Sequence, residues 1–408
     1  MKRILLSVFA AAVTAAWAVP ASATDVSFSG QYRVRGEFRD NADYNDDASD
    51  AKAFIGQRVR LNVNAEATDD TSVKLTLQDS RILGGSDSLI TDTTESPDLH
   101  EAYLNVNGIF GTPVNFRIGR QELNYGDERL IGSFGWSNYG RAFDGVKFGY
   151  VRDGINVDLF RMTVSEATGV ATSSSTGATT LTGTTHDTTL TGVYATLGKV
   201  IPNNSLDVYV LHQTDAVDLT RYTIGARVKG AVAGVDYTVE LPYQTGETSG
   251  TVDISAWAFA AKAGYTLPTP MKIRVGAEYD FASGDEADSA DENETFNNLY
   301  PTNHNHFGIG DVAVANSWSN IQAWSLNVSA DVNEKLRLYA AYWDYTTDEA
   351  ASGASDDIGN EIDLVASYKY SNNVSIEAGA ARFTPGEATA TTPDDAQDWA
   401  YLQITANF

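Results

Sequence analysis

Between residues 26 and 38 the chain alternates almost without exception. Val26, Phe28, Gly30, Tyr32, Val34, Gly36 and Phe38 fall on one face, and Ser27, Ser29, Gln31, Arg33, Arg35 and Glu37 on the other. A period of two is the signature of a strand that buries one face. Val59, Leu61, Val63 and Ala65 alternate in the same way with Arg58, Arg60, Asn62, Asn64 and Glu66; Thr68-Asp69-Asp70-Thr71 then supplies turn chemistry, and Val73, Leu75 and Leu77 resume the pattern. Two strands joined so briefly must be antiparallel. The dyad returns over 273–279, 324–332, 362–368 and 401–408, so it runs from one end of the chain to the other.

Connection lengths carry a second signal. Short turns fall at 68–71, 108–113, 152–154, 198–205, 231–234, 267–270, 333–334 and 371–373, and between them lie long segments at 41–53, 82–97, 124–142, 165–187, 281–316, 344–360 and 384–398. Short turns on one rim and long loops on the other predict an all-β fold, a transmembrane antiparallel barrel of eighteen strands with nine long extracellular loops. Strand parity is mixed over 155–162 and 188–197. A soluble sandwich would give its polar face to solvent and would call for a Pro/Gly/Ser linker between two domains, and the chain has none. The Ser/Thr/Gly run at 173–185 lies between two strands and reads as a loop. The closing Tyr401-Leu402-Gln403-Ile404-Thr405-Ala406-Asn407-Phe408 resembles the last strand of bacterial outer-membrane barrels. In that likeness the terminal Phe is an assembly signal, which implies the barrel-assembly machinery as a partner.

Composition narrows the setting. Lys2 and Arg3 precede an uncharged apolar stretch over 4–18, and Ala21-Ser22-Ala23 is a small-x-small cleavage pattern. Residues 1–23 are therefore expected to be a secretory signal peptide, leaving 24–408 as one barrel domain in the outer membrane of a Gram-negative cell. The alternative reading of the first segment is an N-terminal membrane anchor. Among the 408 residues there is no cysteine, which excludes disulfides, zinc–thiolate sites and cysteine nucleophiles. With 54 acidic residues against 28 basic ones the net charge is −26, the wrong sign for a nucleic-acid partner. His100, His186 and His212 have no neighbouring hydrolase pattern, and neither a phosphate loop nor a metalloprotease motif occurs. The chain is expected to be no enzyme and to need no cofactor.

Where the charges fall matters more than their sum. Arg33, Arg35, Arg58 and Arg60 share the polar parity of the first two strands and would form a basic patch on a lumen wall, joined by Lys74, Arg117, Lys147, Arg227, Lys229, Arg274 and Arg337. A basic bore favours anions. The alternative is that these arginines pair across strands with glutamates and fill the interior. Acids gather in predicted loops: Asp40, Asp43, Asp46, Asp47 and Asp50 in one, and Asp280 with Asp285, Glu286, Asp288, Asp291, Glu292 and Glu294 in another. The run from Asp285 to Glu294 is oxygen-rich enough to be a candidate Ca²⁺ site, although it does not follow the EF-hand spacing; the plain alternative is a solvated rim. His304-x-His306 is a weak metal pair on a loop.

The most specific stretch is Arg117-Ile118-Gly119-Arg120-Gln121-Glu122-Leu123-Asn124-Tyr125-Gly126-Asp127-Glu128-Arg129-Leu130-Ile131-Gly132, continuing through Trp136-Ser137-Asn138 and Gly140-Arg141-Ala142-Phe143-Asp144-Gly145-Val146. Asp280-Phe281-Ala282-Ser283-Gly284-Asp285, followed by Tyr300-Pro301-Thr302 and Phe307-Gly308-Ile309-Gly310-Asp311, is a second block. Together they resemble the alginate export family of outer-membrane channels. That resemblance implies a monomeric eighteen-stranded barrel embedded among lipid and lipopolysaccharide. It further implies an Arg-rich constriction passing an anionic, uronate-type saccharide, or another small anion. Carried over residue by residue, the constriction would use Arg117, Arg120, Arg129 and Arg141 with Asp127, Glu128 and Asp144 as partners, on a Gly-rich loop that folds into the bore. Two readings stay open beside it: a loop that is a self-satisfied structural plug, and a general diffusion porin of weak selectivity. The outer loops are shorter and more acidic than the resemblance calls for.

Overall fold

The computed structural model describes residues 25–47, 50–85, 97–167, 170–173, 179–182, 186–198, 200–215, 218–248, 252–286, 291–311, 318–390 and 394–408. The expected signal peptide lies outside the described residues. Twenty-one strands occur in chain order. The first seven are β1 (Asp25–Asp40), β2 (Lys52–Glu66), β3 (Thr71–Ile82), β4 (Asp98–Val106), β5 (Val114–Gln121), β6 (Phe143–Arg152) and β7 (Ile155–Ser165). Next come β8 (Val170–Ser173), β9 (Thr179–Thr182), β10 (Thr188–Leu197), β11 (Asn204–Thr214), β12 (Thr220–Val232), β13 (Val235–Thr248) and β14 (Val252–Thr266). The last are β15 (Arg274–Ala282), β16 (Glu292–Asn293), β17 (Ile321–Asp331), β18 (Leu336–Thr346), β19 (Asp357–Lys369), β20 (Val374–Pro385) and β21 (Gln397–Asn407).

Eighteen of them pair antiparallel into one closed ring; the two-residue β16 adds to β14 in parallel, and β8 and β9 pair with each other as a separate two-stranded sheet. The ring shuts where β1 meets β21, from Asp40↔Asp398 to Gln31↔Asn407. Beyond that ladder, Gly30 N–H donates to the Phe408 carbonyl at 2.7 Å and Phe408 N–H to the Gly30 carbonyl at 3.0 Å, so the final residue takes part in closure. The two regions of mixed parity, β7 and β10, are neighbouring barrel strands, in register from Thr189↔Thr163 to Leu197↔Ile155 with one register shift between Thr188 and Thr189.

Parity is as the alternation predicts. Phe28, Leu326 and Leu364 stand outward, more than half exposed, while Arg33, Arg35 and Arg58 point inward and are almost fully covered. Outward aromatics form two belts, with Tyr222, Tyr243, Trp257, Tyr279 and Trp324 toward one rim and Phe28, Tyr265, Tyr368 and Phe408 toward the other. Paired girdles mark the two water interfaces of a membrane barrel. The expectation of nine long loops is corrected at two places on the long-loop rim, where β11 ends at Thr214 and β12 begins at Thr220, and β13 ends at Thr248 and β14 begins at Val252.

Candidate functional site

A barrel wide enough for eighteen strands has more interior than its wall side chains fill, and two loops enter it. The first spans 122–142, between β5 and β6; the second spans 283–320, between β15 and β17. Their apolar residues lead the way in. Leu123, Leu130 and Ile131 of the first loop and Phe296, Phe307 and Trp318 of the second are at most 5% exposed, packed on inward-facing Phe160, Met162, Leu190, Leu211 and Tyr345. Burying one such side chain stabilises by about 1.5–3 kcal/mol, so the packing holds the loops against considerable ordering entropy. This apolar core inside the bore is invisible to strand alternation, because it sits where a water-filled lumen is expected.

The loops are stitched to each other. Ile131 and Tyr300 form a parallel bridge, in which Gly132 N–H donates to the Tyr300 carbonyl and Tyr300 N–H to the Leu130 carbonyl, both at 2.9 Å. Thr302 N–H donates to the Glu128 carbonyl at 2.9 Å, and Phe134 N–H to Thr302 Oγ1 at 2.8 Å. A Cβ on Gly132 would lie 2.3 Å from Thr302 Oγ1 and 2.6 Å from Glu128 Oε2, so the crossing is close enough to require glycine.

Arginines of the wall hold the first loop in place. Arg33 donates to the carbonyls of Gly135 at 2.9 Å and Ser137 at 2.8 Å and to Asn138 Oδ1. Arg58 reaches the same two carbonyls at 3.1 and 2.9 Å, and Arg35 donates to the Trp136 carbonyl at 2.9 Å while its guanidinium lies 3.7 Å above the Trp136 ring. The opposite face of Trp136 stacks on His304 of the second loop at 3.7 Å. Arg60 pairs with Glu122 at 3.0 Å, and His100 bonds the same carboxylate at 2.7 Å. Of the four strand arginines expected to line an open basic patch, three thus satisfy loop carbonyls and the fourth an acid at the loop's root.

The predicted loop residues divide. Arg129 is buried and pairs with Glu278 and, at 3.0 Å, with Asp280, both on β15. Asp127 pairs with Arg227 of β12 and, at 2.6 Å, with Lys262 of β14. Burial opposes the Asp127 charge, but Lys262 and then Arg227 outweigh it and hold the carboxyl well below the usual range. Their partners come from the wall, not from within the loop. Arg141 donates to the carbonyls of Pro301 at 2.9 Å and Gly132 at 3.2 Å, and it forms no ion pair among the described residues; neither does Glu128. Arg117 stays on the wall, its guanidinium 4.3 Å over the Tyr103 ring and directly across from Lys147 in register.

Two expectations are corrected. Arg120 and Asp144 are strand residues, paired with each other across β5 and β6 at 2.7 Å on the parity of outward-facing Ile118 and Phe148, so neither points into the bore. Asp280, read as a loop acid without a base, is an inward strand residue with no exposure and is bound by Arg129. In the candidate Ca²⁺ run, Asp285 Oδ1 accepts from Glu294 N–H at 2.8 Å, and among the described residues no three ligating side chains converge on a metal-sized point. Glu286, Asp291 and Glu292 lie in the same described segments, and Asp288 lies outside the described residues. His304 bonds Asp311 and His306 the Asp127 carbonyl, each at 2.8 Å, so the two rings serve different partners.

A family model described as alginate export matches residues 24–402. The fold is similar to the outer membrane protein OprD of Pseudomonas aeruginosa, with a TM-score of 0.65, 12% identity and 96% and 95% of the two chains covered. It is similar also to a BenF-like porin from Pseudomonas fluorescens Pf-5, with a TM-score of 0.65, 11% identity and 94% and 98% covered. Pseudomonas aeruginosa OccK11 (OpdR) gives 0.63, 14%, and 94% and 96%. No curated protein matches the sequence.

Proposed function

The chain belongs to the alginate export family, and on that premise we propose that this outer-membrane barrel is a passive channel that prefers anions and passes a uronate-type saccharide. One observation carries the reading. Arg33 faces Arg58 across β1 and β2, and Arg117 faces Lys147 across β5 and β6. Like charges directly opposite destabilise a sheet, and among the described residues no carboxylate lies within ion-pairing distance of Arg33, Arg58 or Arg117. Arg35, Arg60, Lys74 and Lys147 have acidic partners, so the positive potential of the arc from β1 to β6 rests on Arg33, Arg58 and Arg117. A low-dielectric bore focuses that potential on whatever passes.

The division of labour follows. Arg33, Arg35 and Arg58 are committed to the inner loop and fix the width of the path; Arg117, lower on the same arc, is placed to meet a solute, while Lys147 beside it is paired with Asp158 of β7 at 2.9 Å. A guanidinium fork suits a carboxylate because it offers two parallel donors. The solute moves down its gradient, with no step that consumes energy.

Reversal potential in a salt gradient, with the refolded protein in a planar bilayer, tests this directly. Anion selectivity and block by a short oligouronate are expected, both weakened in an Arg117→Ala, Lys147→Ala double variant. A wild-type pore that is cation-selective or indifferent to the oligomer would make it a general diffusion porin instead.

A further inference from the structure

The outer flank of β6, β7, β10, β11 and β12 is organised in rows. Phe148, Leu159, Val193, Val210 and Ile224 are aligned by register into one continuous apolar row, every member of it exposed. The next row toward the long-loop rim is Val146, Arg161, Thr191, His212 and Tyr222, and the one beyond it is Asp144, Thr163, Thr189, Thr214 and Thr220. Hydrocarbon-facing surface ends between the first two rows. A charge at the midplane of the lipid face costs about 2–4 kcal/mol and almost nothing near the interface, so Arg161 belongs to the headgroup layer.

Arg161 differs from the other outward arginines near that rim. Arg81 pairs with Asp79, Arg120 with Asp144 at 2.7 Å and Arg382 with Asp398 at 2.7 Å. Arg161 is exposed, donates only to Thr191 Oγ1 at 3.2 Å, and meets no carboxylate among the described residues. In the same row the His212 ring stacks on Tyr222 at 4.4 Å, and its Nε2 is buried without a hydrogen-bond partner. A guanidinium with no carboxylate, the hydroxyl it donates to and an unpartnered imidazole nitrogen sit side by side, one row above the hydrocarbon edge, on a protein whose overall charge is −26.

We propose that this patch on β7, β10 and β11 binds the phosphate monoester of an outer-leaflet glycolipid, with the guanidinium of Arg161 as its principal donor and Thr191 and His212 beside it. The acyl chains of such a lipid would cross the Phe148, Leu159, Val193, Val210 row on their way to the midplane, and its phosphate would meet the only outward arginine at this rim, among the described residues, that no carboxylate neutralises. Charge complementarity and depth agree on the same point of the wall.

The test is native mass spectrometry of the intact barrel in detergent, titrated with bisphosphorylated lipid A, with the same lipid stripped of phosphate, and with inorganic phosphate alone. The wild type is expected to hold the phosphorylated lipid at least tenfold more tightly than the stripped one, and Arg161→Gln to lose that preference. Arg382→Gln, an outward arginine already paired, should keep it. Folding of each variant is checked by its heat-modifiable gel shift. Equal binding of stripped and phosphorylated lipid, a preference that survives in R161Q, or inorganic phosphate bound as tightly as the lipid would each overturn the assignment.

Discussion

Arg129→Met removes the cation at the centre of the loop-to-wall contact while keeping most of its length and packing. In the native barrel that guanidinium is 4% exposed, pairs with Glu278 and Asp280, and lies 5.1 Å from the centre of the Trp318 ring. Asp280 is wholly buried, and neither of its oxygens has another hydrogen bond among the described residues. Leaving such a carboxylate without its partner costs about 3–5 kcal/mol, which shifts the balance between packed and released loop by about two to four orders of magnitude. Single-channel recording should then show frequent excursions to a higher conductance, and a protease added on the long-loop side should cut within 122–142. Adding Asp280→Asn removes the stranded charge and should restore most of the quiet baseline. A variant with the wild-type conductance and protease resistance, or a double variant no better than the single one, would refute the claim that this pair holds the loop.

Two further outcomes follow from where side chains point and how they titrate. Arg120→Ala, on the outward face, should leave conductance and selectivity at wild-type values in the same bilayer assay; a change in either would return Arg120 to the path. His306 is pushed well below the ordinary histidine range by burial, with the charges of Arg129 and Lys262 adding to it. A base whose folded pKa is depressed contributes stability above its unfolded pKa, so that contribution is lost as pH falls below about 6.5. Protease cutting within the inner loops should rise on acidification through that window, and less so in His306→Gln; a flat profile from pH 7.5 to 5 would contradict it.

The wall was legible in the sequence because a period of two assigns every residue to lipid or lumen with no knowledge of its neighbours. The same rule exposes the errors. Arg117 and Arg120 are three apart, an odd step that puts them on opposite faces once β5 is seen to run through Gln121. Glu278 and Asp280 are two apart and share the inward face of β15; the alternation over 273–279 places Glu278 there, and one further step past outward Tyr279 places Asp280 beside it rather than in the loop. What no pattern announced is the meeting of the two loops. The partners of Arg129 and Asp127 lie about a hundred residues or more away along the chain, and their pairing depends on the curvature of a closed ring. The roles of Arg33 and Arg58 were hidden for the same reason: their partners are main-chain carbonyls, and every sequence has those.

The hydrogen bonds between Gly30 and Phe408 join residues from opposite ends of the folded chain. Until they form, any partly built sheet presents two unpaired edges to its surroundings, and each edge is a template for pairing with another chain. Closing a loop of that length also has the highest entropic cost of any contact in the molecule, repaid only when the whole ladder from Gln31 to Asp40 zips at once. The barrel therefore has no stable half: its seam is the last thing made and the first place at which a truncated or stalled chain would be recognised as unfinished.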